Sequence, residues 1–488
     1  MPRSVEPEFI GRTYDDFLFR PQLGVAASRR DVALTTPLSR HLSLELPIVS
    51  ANMDSVTGTQ MAQAMALEGG MGFVHRAMPV AAQADCVARV KRTHGYVVEQ
   101  PLCLPRGTTI RAAREFIATH NITGILIEET RGSGILVGLL SNRDLPWTEG
   151  SGDHPVDEFM TPVEKLVTGS PDISLEEAQR RMFEHRIEKL PLVDPDRRIR
   201  GLIAKKDIIL ARQRPYSSKD SKGRLLVGAA IGARGDFLER AAELLHAGAD
   251  AILIDVAHGH SEVMRRAVEA FRTRFGDAQL ICGNVGTAAG AAFLRDLGVD
   301  GIKVGIGPGR GCRTRLETAA GVPQLQAVRE AWCAVGEAVP IIADGGIRDD
   351  KDLFLALICG ASTVMLGSML SGTDEAPGSV IEDPGTGEKR KIYRGMTSPQ
   401  AVFDALYSDE TPESLELALD VPAEGQEVQL PYKGSVLSIL HRIRGHLRSA
   451  VSYAGEGTLA AARAKVLPDP MRYLIPLSPA ARAESYDR

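Results

Sequence analysis

Residues 301–324 read GIKVGIGPGRGCRTRLETAAGVPQ, a short apolar run followed by a loop in which four glycines and a proline precede Cys312. Glycine at this density lets a backbone turn tightly and come close to a ligand. A cysteine on such a loop can present a reactive thiolate, because the loop leaves the sulfur exposed among backbone dipoles. Taken alone, the loop reads equally well as a tight turn around a small buried cysteine. Its meaning therefore depends on the surrounding chain.

The pattern of an apolar run followed by a polar turn recurs along the sequence. Eight such runs end in Gly, Asp, Asn or Ser and alternate with stretches of helical periodicity, as buried parallel strands do. No dinucleotide fingerprint follows the first run, so eight units predict a (β/α)8 barrel (TIM barrel) rather than an open α/β sheet. The predicted strands are 47–51, 71–74, 225–231, 251–254, 279–282, 302–304, 340–343 and 363–366. Because residues just after barrel strands share one rim, we expect the site there.

About 150 residues separate the second predicted strand from the third. They hold two approximate copies of one pattern: a helix, an apolar run, and a segment ending in an aspartate that opens a further helix. The first copy has its helix at 109–120 and ends at Asp144; the second has its helix at 174–185 and ends at Asp207. The sequence thus predicts a duplicated domain at 95–215. It is inserted into a catalytic domain, residues 1–94 and 216–488, which consists of the barrel and a flap.

Composition excludes several classes of protein. The chain has 488 residues, 44% of them hydrophobic, and a net charge of −5, which argues against a general partner of nucleic acid or of an anionic membrane. No apolar run approaches the roughly 20 residues of a membrane span, and the first residues lack the layout of a signal peptide. The six cysteines show no C-x-x-C spacing, so neither a disulfide framework nor a zinc site is indicated. We expect a cytoplasmic protein.

Several runs together resemble the IMP dehydrogenase/GMP reductase family over nearly the whole chain. They are PIVSANMD (47–54), GNV (283–285), GIGPG (305–309), Cys312 with Thr314, ADGGI (343–347), LGSM (366–369) and YRGM (393–396). The insertion resembles the pair of CBS modules that interrupts the barrel of IMP dehydrogenases. The resemblance implies a cysteine that attacks C2 of a purine 5′-nucleotide, forming a covalent thioimidate, with hydride exchanged at C2 by a nicotinamide cofactor.

Two chemistries share that intermediate. A dehydrogenase oxidises IMP with NAD and hydrolyses the adduct with an Arg-Tyr pair on its flap, whereas a reductase expels ammonia from GMP and uses NADPH. Residues 397–424 contain no arginine, and Tyr407 stands alone there. EGQEVQLPYKG (424–434), DVAHGHS (255–261) and the Ala51-Asn52 pair resemble the reductases. The resemblance therefore favours an NADPH-dependent GMP reductase with CBS modules, like a subgroup found in actinobacteria.

The resemblance also implies roles for individual residues. Cys312 is the nucleophile, and Thr314 and Glu424 relay the proton that departing ammonia needs; Glu424 is alternatively a carboxylate that recognises the 2-amino and N1 positions. The expected substrate contacts are Ser50, Met53, Arg310, Asp344, Gly346, Gly367, Ser368, Tyr393, Gly395, Met396 and Glu424. The expected cofactor contacts are His75, Arg76, Asp255, Val256, Ala257 and Asn284, with His75 and Arg76 equally readable as a solvated pair. A K+ ion would bind carbonyls of Gly307, Gly309 and Cys312.

In the insertion, Ser141 and Asp144 match the hydroxyl-and-carboxylate pattern that grips a nucleotide ribose. Asp207 repeats the carboxylate in the second copy, where Ala204 takes the hydroxyl position. The resemblance thus implies a regulatory purine nucleotide, and a homotetramer or an octamer; a purely structural insertion is the alternative.

Two departures from the family pattern stand beside the nucleophile. Arg310 replaces the usual serine two places before the cysteine, and Arg313 replaces a small or β-branched residue. Arg310 either makes a charged contact with the substrate phosphate or marks a differently placed loop. Two other functions stay open at this point: an IMP dehydrogenase with an atypical flap, and a nucleotide sensor that has lost catalysis.

Overall fold

The computed structural model describes residues 4–93, 97–98, 101–120, 122–146, 151–205, 208–209, 214–396, 398 and 424–486. Their contacts divide the chain into two compact units. The first comprises the described residues of Met1–Thr93, Tyr216–Asp220 and Leu225–Arg488, and the second those of His94–Pro215 and Ser221–Arg224.

The first unit is built on a closed barrel of eight parallel strands, so the predicted barrel is confirmed. The strands are β1 (Ile48–Ser50), β2 (Met71–Val74), β3 (Val227–Ile231), β4 (Ala251–Asp255), β5 (Leu280–Val285), β6 (Gly301–Val304), β7 (Ile341–Asp344) and β8 (Thr363–Leu366). They are buried almost throughout, because helices cover the outside and side chains fill the inside. Pairing of β8 with β1 and of β2 with β3 closes the ring.

Some strands run further than the sequence predicts, and the extra residues matter. β4 ends on Asp255, β5 contains Asn284, and β7 ends on Asp344. These three polar side chains therefore project from strands rather than from loops, and strands position a site more firmly than loops do.

Helices follow the first seven strands and cover the barrel. They are α1 (Thr59–Leu67), α2 (Val80–Arg92), α3 (Phe237–His246), α4 (Glu262–Phe275), α5 (Ala288–Asp296), α6 (Gln324–Val335) and α7 (Asp350–Cys359). Local sequence sets where they begin: the side chain of Ser261 caps α4, and that of Thr287 caps α5, each satisfying an amide that has no partner within the helix. After the barrel come α8 (Val436–Tyr453), α9 (Leu459–Val466) and α10 (Pro479–Tyr486). Among the described residues, no helix is long and apolar enough to cross a bilayer.

The two ends of the chain pack together on the barrel. Strand Phe17–Phe19 pairs with strand Leu474–Pro476, and the rings of Phe9 and Phe17 stack in the core at 5.2 Å. Arg329 of α6 is 1% exposed and forms an ion pair with Glu6. The amino-terminal arm is therefore an integral part of the first unit.

A three-stranded antiparallel sheet follows the barrel, where the sequence shows only weak periodicity. Its strands are Ile381–Glu382, Lys389–Arg394 and Glu427–Pro431. In the last pair Tyr393 lies opposite Val428 and Arg394 opposite Glu427. This sheet, called the rim sheet below, brings Glu424 and Tyr393 to the barrel mouth. Residues 399–423, which include Tyr407 and most of the predicted flap, lie outside the described residues.

The second unit contains two similar halves. The first half has helix Ile110–Thr119 beside strands Cys103–Pro105, Gly124–Glu128, Leu136–Ser141 and Thr161–Pro162. The second half has helix Leu175–Glu184 beside strands Lys189–Val193, Ile199–Ala204 and Val97–Val98. Thr109 and Ser174 cap the two helices in the same way, and each helix packs on its own apolar cluster.

Asp144 lies in a turn formed by residues 142–144, and residues 147–150, to which a helix opened by Asp144 would extend, lie outside the described residues. Its carboxylate instead accepts hydrogen bonds from the amide (2.8 Å) and the hydroxyl (2.7 Å) of Ser141. Asp207 lies outside the described residues, and Ala204 ends a buried strand. The contact of Ser141 with Asp144 places a hydroxyl and a carboxylate side by side, and the ribose site stays a prediction.

Candidate active site

A cavity of about 980 Å³ opens at the carboxyl ends of the barrel strands, the rim on which barrels build their sites. It gathers nearly all of the predicted site residues. Those expected to bind substrate are Met53, Arg310, Asp344, Gly346, Gly367, Ser368, Tyr393, Gly395, Met396 and Glu424. Those expected to bind cofactor are Arg76, Asp255, Val256, Ala257 and Asn284, and the remainder are Gly307, Gly309, Cys312 and Thr314.

Ser50 and His75 are the exceptions, since neither lines the cavity. The Ser50 side chain is fully buried, and the Thr57 hydroxyl lies 2.8 Å from its oxygen. His75 is 7% exposed, and its pKa is lowered to about 4. Burial is the main cause of this decrease; the charge of Asp54 opposes it and that of Arg394 adds to it. The imidazole is therefore neutral near pH 7, which removes the charge a cofactor phosphate would need. Arg76 alone of the predicted pair is exposed at the cavity.

Three side chains form a hydrogen-bonded series at the reactive end of the cavity. The Cys312 thiol lies 3.2 Å from the Thr314 hydroxyl, which donates to Oε2 of Glu424 at 2.7 Å. A hydroxyl between a sulfur and a carboxylate can carry a proton between the carboxylate and a group bound at the sulfur. The arrangement fits a nucleophile with a proton relay beside it.

Backbone pairing attaches the Cys312 loop to the segment that carries Glu424. Cys312 forms an antiparallel bridge with Gly425, and the Arg313 amide donates to the Glu424 carbonyl at 2.7 Å. A third backbone crosses at the same point, because a Cβ added to Gly395 would collide with the Gly311 carbonyl oxygen. Glycine is needed wherever backbones approach this closely.

A buried lysine joins two carboxylates in a second part of the cavity lining. Lys303 of β6 is 3% exposed and lies 2.6 Å from Asp344 and 3.1 Å from Asp255. Burial lowers the pKa of Lys303, but the two carboxylates outweigh that effect and raise it above its usual value. Asn284 donates to Asp344 at 3.0 Å, and Asn52 donates to Asp255 at 2.7 Å. Both aspartate side chains are thereby fixed in direction.

A third part of the cavity is positively charged. Lys433 donates to the carbonyls of Ser368 (2.6 Å) and Met369 (3.1 Å). Burial, then the charges of Arg310 and Arg442, lowers the pKa of Lys433 to about 8. Burial raises the pKa of the Tyr393 phenol, while Arg310 opposes that rise. The positive charge of the Arg310 guanidinium thus lowers the pKa of both Lys433 and Tyr393. A guanidinium in this place can also bind an anion.

The carbonyls predicted to hold K+ belong to the loop that lines the cavity. The Gly309 carbonyl accepts the Cys312 amide at 3.0 Å, and Arg315 donates to the Ile306 carbonyl at 3.3 Å. The described part of the chain contains no group of three or more His, Cys, Asp or Glu side chains that could hold a metal. Main-chain oxygens suit an alkali cation, so the K+ site of Gly307, Gly309 and Cys312 stays a prediction.

Sequence reasoning missed several residues that shape the site. Lys303 carries a signal, since it is the one charge within the apolar run GIKV, and a lysine buried there requires partners. Lys433 and Gln426 show no such signal in the sequence. Only the pairing of the rim sheet brings Lys433 to the cavity and Gln426 to the Cys312 loop.

The fold and the site define a (β/α)8-barrel protein with a thiol, a hydroxyl and a carboxylate in series at the mouth of the barrel. The chain belongs to the IMP dehydrogenase/GMP reductase family: the model of the IMP dehydrogenase/GMP reductase domain matches residues 11–485. The family consists of oxidoreductases that act on IMP or GMP with a nicotinamide cofactor and form oligomers.

Relatives named for both activities resemble this chain. It is 44% identical over 451 residues to an inosine-5′-monophosphate dehydrogenase of Nitrosopumilus maritimus, covering 92% of this chain and 93% of the relative. It is 42% identical to the enzyme of that name from Aquifex aeolicus, covering 91% and 90%. Among solved structures, a cysteine-to-alanine variant of Trypanosoma brucei GMP reductase in complex with GMP matches with a TM-score of 0.84, 36% identity and coverage of 99% and 98%.

Proposed function

We propose that this protein is a GMP reductase, which converts GMP to IMP and ammonia with NADPH. The observation that carries the proposal is the Thr314 hydroxyl placed between the Cys312 thiol and the Glu424 carboxylate. Residues 397–424 hold no arginine, so the water-activating Arg-Tyr pair of the dehydrogenases has no counterpart in that segment. The likeness to a GMP reductase structure over 99% of the chain supports the same assignment.

The first chemical step would use the three side chains in series. The Cys312 thiolate adds to C2 of GMP, and the π-electron pair of the C2=N3 double bond moves onto N3, from which it re-forms the double bond as the amine leaves. The 2-amino group must be protonated before it can leave, since an amide anion is too poor a leaving group. Glu424 would pass that proton through the Thr314 hydroxyl, so ammonia departs and a thioimidate remains on Cys312.

Completion of the reaction returns the thiol. Arg76, Asp255 and Asn284 line the cavity and would hold NADPH, which would supply the hydride that ends at C2. The C2–S bond then breaks, Cys312 leaves as thiolate, and IMP is released. The balance is GMP, NADPH and two protons to IMP, NADP⁺ and ammonium.

The other predicted residues would hold the nucleotide in place. Asp344, fixed by Lys303 and Asn284, would accept hydrogen bonds from both ribose hydroxyls. The phosphate would lie against Gly346, Gly367, Ser368 and Tyr393, with Arg310 supplying positive charge. Met53 and Met396 would enclose the base.

A second function, NAD-dependent oxidation of IMP to XMP, has one observation in its favour. The curated relatives that match at 42–44% identity carry the name of the dehydrogenase. The dehydrogenase, however, needs a group that activates water at C2, and Glu424 already contacts Thr314 rather than standing free. We therefore place it second.

For the inserted unit we propose a tandem CBS domain that binds a regulatory purine nucleotide. Ser141 and Asp144 would grip the ribose, and Asp207 would serve the second copy. The homotetramer or octamer implied by the resemblance belongs to the same proposal, as does K+ at the Cys312 loop.

A paired assay tests the main proposal. We expect NADPH consumption with GMP, one ammonium released per NADPH, and no NADH formation from IMP and NAD. Both reactions are followed at 340 nm with and without ATP and GTP, and with and without K+. Robust NADH formation from IMP, without turnover of GMP, would contradict the reductase and support the dehydrogenase. Nucleotide binding without either reaction would support a sensor.

A further inference from the structure

The side chain of Gln426 bridges the two ends of the Cys312 loop. Its amide nitrogen donates to the Arg310 carbonyl at 2.9 Å, and its amide oxygen lies 3.5 Å from Nη1 of Arg313. These two arginines flank Gly311 and Cys312 and are the positions where the chain departs from its family pattern. One glutamine thus contacts the residues on both sides of the nucleophile.

The backbone of Gln426 strengthens the same connection. Its amide donates to the Gly311 carbonyl at 2.9 Å, and its carbonyl accepts the Gly395 amide at 3.0 Å. Gln426 stands two residues after Glu424, so a side chain that grips the loop also fixes the distance from Cys312 to that carboxylate. Gln426 does not line the cavity, and it therefore acts through other residues rather than on a ligand.

We propose that Gln426 is a positioning residue that holds the Cys312 loop in register with the Glu424 segment. By this contact Gln426 keeps the Thr314 hydroxyl between the Cys312 sulfur, 3.2 Å away, and the Glu424 carboxylate, 2.7 Å away. Proton transfer depends steeply on such geometry, and a misplacement of about 1 Å costs about 10²-fold in rate. The proposal rests on the proposed function, in which Glu424 supplies the proton.

The chain offers a matched control on the strand that begins directly after Gln426. Gln429 lies on Glu427–Pro431 opposite Ile392 and is exposed. Replacing it with leucine makes the same chemical change three residues further along the chain, away from the Cys312 loop. Gln429→Leu should therefore leave kcat and KM unchanged.

The test is a double-mutant cycle on the full-length protein. We expect Gln426→Leu to lower kcat for GMP about 10- to 100-fold, with the KM for GMP changed less than about twofold. In a Glu424→Gln background the same substitution should lower kcat less than about twofold, because no carboxylate is left to position. A purely structural role would give the same loss in both backgrounds. If Gln426→Leu proves insoluble, Gln426→Asn, too short to reach both ends of the loop, is expected to give the same pattern.

Two results would overturn the inference: an unchanged kcat for soluble Gln426→Leu, or equal losses in the two backgrounds. Failure of the wild-type protein to consume NADPH with GMP is a different outcome and would contradict the proposed function. In that case the cycle would be run with IMP and NAD. A loss there that is again confined to the background with intact Glu424 would support the positioning role.

Discussion

The two sides of the cavity are held together by different means. On one side, Asp255, Lys303 and Asp344 project from barrel strands β4, β6 and β7, and the lysine that joins the two carboxylates is 3% exposed. On the other, Cys312 stands on a loop and Thr314 begins the short helix Thr314–Thr318 that follows it. Glu424 contacts Thr314 from 110 residues further along the chain. One side is complete once the barrel is closed, whereas the other is complete only when the rim sheet docks.

Under the proposed function, this difference separates holding the substrate from transforming it. A buried charge network on strands is fixed by the core, so the Lys303 side, proposed to bind the ribose, should keep its shape whatever the loops do. The proton relay depends on a few main-chain contacts and on glycines that let three backbones meet. Substitutions at the two sides should therefore differ in whether they change stability, binding or kcat.

The largest expected effect is that of Cys312→Ala, which should change kcat and leave GMP binding nearly unchanged. Cys312→Ala removes the nucleophile and should lower kcat with GMP at least about 10⁴-fold. GMP affinity should change less than about threefold, because the Lys303 side and the phosphate end are untouched. Stopped-flow assays and calorimetric titration measure the two quantities. Turnover above about 1% of wild type would mean that no covalent adduct on this sulfur is needed.

Lys303→Met should disrupt the Lys303 side of the cavity, and it should lower both stability and GMP affinity rather than kcat alone. It leaves two carboxylates facing each other without the ammonium, and removing one member of a buried ion pair costs about 3–5 kcal/mol of unfolding free energy. GMP binding should weaken together with stability, as measured by urea unfolding and titration. The control Lys389→Met removes a half-exposed lysine 3.8 Å from Glu382 and should cost less than about 1 kcal/mol. Equal losses in the two variants would contradict a buried network at the ribose end.

The same difference explains why the barrel side of the site could be predicted from the sequence and the rim sheet could not. The barrel and the residues at its strand ends follow from local patterns, because each apolar run reports its own burial. Asp255 and Asp344 were found that way, although the strands extend one residue further than predicted. The rim sheet was missed, since its strands are short or half-exposed and its register comes from pairing between distant segments. Ser50 was misplaced because a motif identifies a strand without showing which way each side chain points.

An intermediate effect is expected where three backbones cross. Gly395→Ala would drive a methyl group against the Gly311 carbonyl, displacing the Cys312 loop from Glu424 and lowering kcat about 10- to 100-fold. Gly445→Ala is the matched control: its site on α8 has open space around an added Cβ, so stability should rise by about 0.5–1 kcal/mol with kcat unchanged. Wild-type kcat in Gly395→Ala would show that the close approach is not needed for the relay.

The smallest expected effect is a pH dependence at the phosphate end. Burial and Arg310 lower the pKa of Lys433 from 10.5 to about 8, so its ammonium, which binds the Ser368 and Met369 carbonyls, loses its charge above that pH. We expect the KM for GMP to rise severalfold as the pH passes 8. Lys433→Arg keeps the charge throughout this range and should abolish the rise, whereas the control Lys389→Arg should not.

Folding should respond to Lys433 in the opposite direction. A base whose pKa is lower in the folded state than in the unfolded state contributes stability above its unfolded pKa, near 10.5, and loses it as the pH falls through about 8. Substrate binding favours the charged lysine while folding favours the neutral one. Urea unfolding of wild type and Lys433→Arg between pH 7.5 and 10 measures the second effect. An inflection in KM that survives in Lys433→Arg would assign the titration to another group and leave Lys433 with a purely structural contact.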